Sequence, residues 1–151
     1  MSTNNINSNL KDVIERNFDA YQGYQKAAEN VDNVELSQTF RNQADQKKSF
    51  ALQLEAAARV FDEDTRAKLE SGTFQGNLHR TWMDIKSAFA SNNSEAILEE
   101  CVRGEKAALE EYNELLNDAN VTGEVRQLVA DQKIITERNI SELQLMEKVV
   151  S

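Results

Sequence analysis

The chain has 151 residues with 17 basic and 26 acidic side chains, and its formal net charge is −9. This length suits one domain, and a content of 40% hydrophobic and 28% charged residues is typical of a globular protein. Such an acidic chain is a poor partner for duplex nucleic acid and for anionic membranes. One cysteine and one histidine exclude a disulfide framework, a four-ligand Cys/His zinc site and a two-histidine di-metal site.

The scarcity of turn-forming residues favours helices. Proline is absent and only five glycines are present, so a many-stranded sheet is not expected. No run of apolar residues is long enough to predict a membrane-spanning helix. Residues 1–8 are predicted to form a mobile polar tail without the features of a signal peptide. We therefore expect a cytoplasmic location, with Cys101 as a reduced thiol.

Apolar residues at helical spacing predict four long helices in a single domain over residues 9–151. The first helix starts at Asn9 and ends at a tight turn near residues 31–33. The second starts at a capping pair, Asp32 with Glu35. Two long helices joined by so short a turn form an antiparallel hairpin.

The connection to the second hairpin is long. The helical pattern loosens over residues 62–72, and a shorter helix is predicted over residues 73–90. Its apolar face, which includes Trp82, is expected to dock on the bundle, with a partner-binding patch as the alternative. A break at residues 91–94 follows, with Ser94 as the next N-cap. A connection of this length can cross a whole bundle, so the sequence predicts an all-α, ferritin-like four-helix bundle with a short crossover helix between two hairpins.

The second hairpin carries much of the negative charge. Its first helix runs to Ala119, a turn follows at residues 120–123, and the last helix continues to the C-terminus. Residues 94–118 contain eight acidic and two basic side chains. Such a run of acidic residues usually forms a solvent-exposed helix face. The functional alternative is contact with a basic partner or weak cation binding.

Each long helix has an apolar seam, which is the row of apolar residues at helical spacing that faces the core. Polar residues interrupt this seam near the middle of each helix. Asn17 and Lys47 are equally distant from the first turn, and Glu105 and Asn139 interrupt the last two seams at a matching height. We predict that these four residues form a buried polar layer. One buried carboxylate attracts one cation, so Glu105 is expected to pair with Lys47 or with last-helix side chains near Thr136. The amide side chains expected in the layer are Asn17, Gln43, Gln132 and Asn139.

Di-iron and di-manganese bundles bind metal at this height, through Glu from two helices and Glu-x-x-His from the other two. Here Glu105 is the one definite seam carboxylate, Glu137 lies beside its seam, and His79 is on the predicted crossover helix. No metal or cofactor is therefore expected, and a degenerate iron or manganese site with Glu105 and Glu137 is the alternative. His79 is interpreted as a surface or packing residue, and Cys101 as a small buried hydrophobe.

Two stretches carry a family resemblance, LHRTWMDIK at residues 78–86 and ILEECVRGEKAAL at residues 97–109. With Gly23-Tyr24 and the Ala-Ala-Glu at residues 27–29, they resemble a bacterial family of ferritin-like four-helix-bundle proteins of unknown function. The resemblance implies a ferritin-like bundle with a crossover helix, and it supplies no catalytic residues. We expect a non-enzymatic structural or interaction module, with a homodimer or an unidentified protein as its partner. A degenerate metal-binding protein is the alternative.

Overall fold

The computed structural model describes residues 3–74 and 93–150. Within these ranges the chain is helical apart from turns and short links, and no strand is present. The helices are α1 (Thr3–Asn30), α2 (Val34–Ala58), α3 (Glu63–Ser71), α4 (Ser94–Asn117) and α5 (Gly123–Val150). The all-α prediction is thus confirmed. The predicted crossover helix, with Trp82 and His79, falls mainly in residues 75–92, outside the described ranges.

The start of α1 differs from the prediction. The helix begins at Thr3, whereas the sequence pattern placed its start at Asn9. Residues 3–8 therefore belong to α1. Ile6 explains the difference, because its side chain is partly buried and packs against the core next to the start of the helix. One apolar contact of this kind stabilises the otherwise polar first turns.

Two N-caps lie one residue away from their predicted positions. Asn33, not Asp32, caps α2, and its side chain accepts a hydrogen bond from the Leu36 backbone N–H at 2.9 Å. Asn93, not Ser94, caps α4. Asparagine, aspartate and serine are nearly equivalent as caps, so the composition of these turns does not select among neighbouring candidates.

The four long helices form two hairpins that pack side by side. The first hairpin is α1 with α2 and the second is α4 with α5, and further contacts join α1 to α4 and α2 to α5. Hydrogen bonds from Asn17 to Tyr112 and from Tyr24 to Glu105 show that α1 and α4 are antiparallel. The chain therefore forms a helical bundle in which α2 and α4 lie on a diagonal.

The same reasoning gives the relative directions of α2 and α4. Hydrogen bonds from Gln43 to Asn139 and from Gln132 to the Phe50 carbonyl show that α2 and α5 are antiparallel. Since α1 is antiparallel to both α2 and α4, α2 and α4 run in the same direction. The end of α2 and the start of α4 therefore lie at opposite ends of the bundle.

In residues 3–74 and 93–150 the core consists of two apolar clusters, one towards each end of the bundle. The cluster near the α1–α2 turn is centred on Tyr24, Phe40 and Leu98. The opposite cluster includes Phe18, Leu54 and Leu69 of α3. Buried polar residues occupy the level between them. In the described part of the chain, no helix is long and apolar enough to cross a membrane.

Candidate functional site

An ion pair lies at the centre of the bundle. The Lys47 ammonium on α2 is 2.5 Å from Glu105 Oε1 on α4, as the balance of charge in the seams predicted. The side chains of Lys47 and Glu105 are 1% and 0% exposed. Because α2 and α4 are diagonal, the pair spans the bundle axis between the two apolar clusters.

A tyrosine completes the surroundings of the carboxylate. The Tyr24 hydroxyl donates to Glu105 Oε2 at 2.7 Å, so each carboxylate oxygen has a donor. The Lys47 ammonium also lies 5.5 Å from the centroid of the Phe50 ring. Burial, and then the charge of Glu105, raises the pKa of Tyr24 well above its ordinary value. Tyr24 therefore remains a protonated donor in the physiological pH range.

A second group of polar side chains surrounds Tyr112. Asn17 Nδ2 donates to the Tyr112 hydroxyl at 3.1 Å, and this hydroxyl donates to Gln132 Oε1 at 2.8 Å. Gln132 Nε2 donates in turn to the Phe50 carbonyl at 3.3 Å. Burial raises the pKa of Tyr112 above its ordinary range. This group connects α1, α4, α5 and α2 through uncharged hydrogen bonds.

Asn139 belongs to a third group, between α5 and α2. It donates to Gln46 Oε1 at 2.7 Å and accepts from Gln43 Nε2 at 3.3 Å. Among the described residues, Gln43 Oε1 is the one buried side-chain nitrogen or oxygen without a hydrogen-bond partner. The hydroxyl of Thr136, expected near Glu105, instead donates to the Gln132 carbonyl of its own helix.

All four residues of the predicted polar layer are buried. The structure pairs Lys47 directly with Glu105, and it places Asn17 and Asn139 in separate hydrogen-bonded groups around Tyr112 and the α2 glutamines. The layer is therefore a set of neighbouring groups centred on one ion pair.

The alternative metal pair is not assembled. Glu105 is buried, whereas Glu137 is exposed. In residues 3–74 and 93–150, no three His, Cys, Asp or Glu side chains are close enough to hold a metal ion. Both oxygens of Glu105 already accept hydrogen bonds from protein donors. A di-metal centre requires several anionic oxygen ligands, so the described residues around Glu105 do not fit one.

A narrow crevice between α1 and α4 leads from the surface towards the ion pair. Its outer end is formed by Arg16 and Glu111, whose charged groups are 3.1 Å apart, and its inner end by Lys47. Small side chains, including Ala20 and Ala107, form its sides. The space accommodates about one water molecule, which is too little for an organic substrate.

Sequence reasoning missed the two tyrosines as partners of the polar residues. Tyr24 and Tyr112 both occupy seam positions, where an aromatic ring is read as an apolar residue. A buried tyrosine nevertheless requires a partner for its hydroxyl. Tyrosines at the level of buried carboxylates and amides are the signal that could have identified these hydrogen bonds.

The family described as Domain of unknown function (DUF2383) matches residues 5–118. The chain belongs to this family. The DUF2383 match contains Tyr24, Lys47 and Glu105, and thus the complete ion-pair group, whereas it ends before α5. No curated protein and no solved structure matches the chain.

Proposed function

We propose that this DUF2383 protein is a non-enzymatic, ferritin-like four-helix bundle that acts as an interaction module. In this proposal the Lys47–Glu105 pair occupies the level at which related bundles bind metal. The observation that carries the proposal is the distance of 2.5 Å between two oppositely charged groups that are both fully buried. The ammonium neutralises the carboxylate, so the core requires no metal cation.

The topology supports the ferritin-like part of the proposal. Because α2 and α4 run in the same direction, the end of α2 and the start of α4 lie at opposite ends of the bundle. One long crossover between two antiparallel hairpins is the arrangement of ferritin-like folds, whereas simple up-down bundles have short loops.

The chemistry of the core argues against catalysis at this site. The pKa values of Tyr24 and Tyr112 are raised by burial, so neither phenol is a base near neutral pH. Burial also raises the pKa of Cys101 well above its ordinary value, which makes its thiol a poor nucleophile. The crevice that reaches Lys47 does not accommodate a substrate. The residues around the ion pair therefore serve packing and register, and we assign binding to the surface.

Metal content tests the proposal against its alternative, a degenerate iron- or manganese-binding protein. The protein is purified without chelator, offered Fe(II) or Mn(II), desalted and assayed by elemental analysis beside Glu105→Leu and the exposed control Glu70→Gln. We expect metal far below one ion per chain in all three. Near-stoichiometric metal that is lost in Glu105→Leu but kept in Glu70→Gln would overturn the proposal.

A further inference from the structure

An apolar groove lies where the start of α2 meets the end of α5. Leu145 and Val149 of α5 are 61% and 84% exposed, although both are large apolar residues. The groove has a volume of about 420 Å³ and is open to solvent. Its lining consists of Asn33, Glu35, Leu36, Thr39, Glu142, Leu145, Met146, Val149 and Val150.

The apolar floor of the groove continues directly from the core. Leu36 is buried in the cluster at this end of the bundle, and Met146 packs partly against the same cluster. Beyond Leu143, which is fully buried, the side chains of Leu145, Val149 and Val150 on α5 are exposed. The outer apolar side chains of α5 therefore lie over a space that none of the described residues fills.

The negative charge of the groove favours one class of binding partner. Glu35 and Glu142 line it and are exposed, and among the described lining residues no basic side chain is present. A second copy of the chain would bring the same carboxylates against each other, which is unfavourable. An anionic membrane is repelled for the same reason. A partner with apolar side chains flanked by lysine or arginine would complement both the apolar floor of the groove and its acidic rim, which consists of Glu35 and Glu142.

We propose that this groove binds a basic amphipathic helix of a partner protein. Such a helix presents apolar side chains at i, i+3 and i+4 to a groove and charged ones to its edges. The inference rests on the proposed function, since it assigns a partner class to the interaction module. Leu145 and Val149 supply the apolar contact, and Glu35 and Glu142 supply charge complementarity.

Two synthetic peptides test the inference. One is a helical peptide of leucine and lysine with the apolar residues on one face, and the other has the same apolar face with glutamate in place of lysine. We expect the lysine peptide to bind in titration calorimetry and the glutamate peptide to show no binding. Equal binding of both peptides, or no binding of either, would overturn the proposed occupant.

Variants locate the binding surface. Leu145→Gln with Val149→Gln is expected to weaken binding of the lysine peptide by about tenfold or more, because the apolar contact is lost. The matched control is Ile134→Gln, which changes an apolar residue of the same helix that is 55% exposed and lies outside the groove. The control should bind like the unmodified protein. Equal weakening by the control would show nonspecific attraction and would contradict the proposal.

A second pair of variants tests the charge of the rim. Glu35→Gln with Glu142→Gln should weaken binding and reduce its dependence on salt, since two carboxylates leave the groove. Unchanged affinity and salt dependence would contradict the role of the rim. Sedimentation that shows a dimer dissociated by Leu145→Gln would instead assign the groove to a second copy. These outcomes are independent of metal content, so the groove and the metal-free core can fail separately.

Discussion

Two opposite charges that are removed from water stabilise a fold only when each compensates the other for its lost hydration. Lys47 and Glu105 meet this condition, because the carboxylate also accepts a hydrogen bond from Tyr24 and leaves no oxygen without a donor. The pair lies between the two apolar clusters, where a sliding of α2 along the bundle would separate the charges. We infer that it fixes the register of the diagonal helices.

The ion pair of Arg16 and Glu111 predicts that the stability of the protein depends on pH. Burial raises the pKa of Glu111 from 4.5 to about 7, although the neighbouring Arg16 opposes the shift. The folded state thus retains a proton on Glu111 that the unfolded chain loses at lower pH. Stability is highest below pH 4.5 for this group and falls as pH rises from about 4.5 to 7, by at most about 3 kcal/mol.

Chemical denaturation of Glu111→Gln across this pH range checks the assignment. The variant cannot ionise, so its free energy of unfolding should change less steeply than that of the unmodified protein between pH 4.5 and 7. It should also be the more stable protein at pH 8. Parallel pH profiles for the two proteins would show that Glu111 does not have the raised pKa.

At the scale of elements, one buried carboxylate organises the turn between α2 and α3. Glu55 Oε1 accepts from the backbone N–H groups of Val60 and Phe61 at 2.9 and 3.1 Å. Glu55 Oε2 accepts from Arg66 Nε of α3 at 2.8 Å. Glu55 is 1% exposed, so the turn takes its shape around an inaccessible acceptor. The position of α3 on the bundle follows from this contact and from buried Leu69.

We predict that Glu55→Ala lowers the free energy of unfolding by about 2 kcal/mol, because it removes the acceptor of two backbone donors and of Arg66. Glu55→Gln should cost less, since one carbonyl oxygen remains. The exposed control Glu70→Ala should stay within about 0.5 kcal/mol of the unmodified protein. Urea denaturation measures all three. A loss for Glu55→Ala no larger than that of Glu70→Ala would contradict the role of Glu55.

The turn between α2 and α3 shows why some elements cannot be predicted from the sequence pattern. The long helices have enough residues for the apolar period to be visible, and the hairpins follow from their short turns. In α3 only Leu69 is buried, so nine residues of mostly charged sequence show no period. Glu55 gave no signal either, because its hydrogen-bond donors come from a turn whose shape depends on tertiary packing.

The central contact of the candidate site was predictable from charge balance. Lys47 was the basic residue on a seam at the height of Glu105, and the structure confirms their contact. The case of Glu137 shows the limit of a prediction by height alone. It follows buried Thr136, and one residue along a helix turns a side chain by about 100°, which places Glu137 in solvent.

At the scale of the whole molecule, the fold combines a mostly apolar core with one charged contact across its diagonal. The two apolar clusters provide the stability, and the polar level between them specifies which residues meet. Partner binding in our proposal is confined to the end of the bundle, where α5 presents apolar side chains above the acidic rim. The structural centre and the binding surface are thus separate in space.

The most direct test of this account is a double-mutant cycle across the ion pair, measured by urea denaturation. Lys47→Met should cost about 3–5 kcal/mol, because it leaves Glu105 buried without its cation, and Glu105→Leu should cost a comparable amount by leaving the ammonium unpaired. The double variant should lose much less than the sum of these values, or even be more stable than the unmodified protein. Losses that simply add would show that the two groups do not interact, and would contradict a core organised around the Lys47–Glu105 pair.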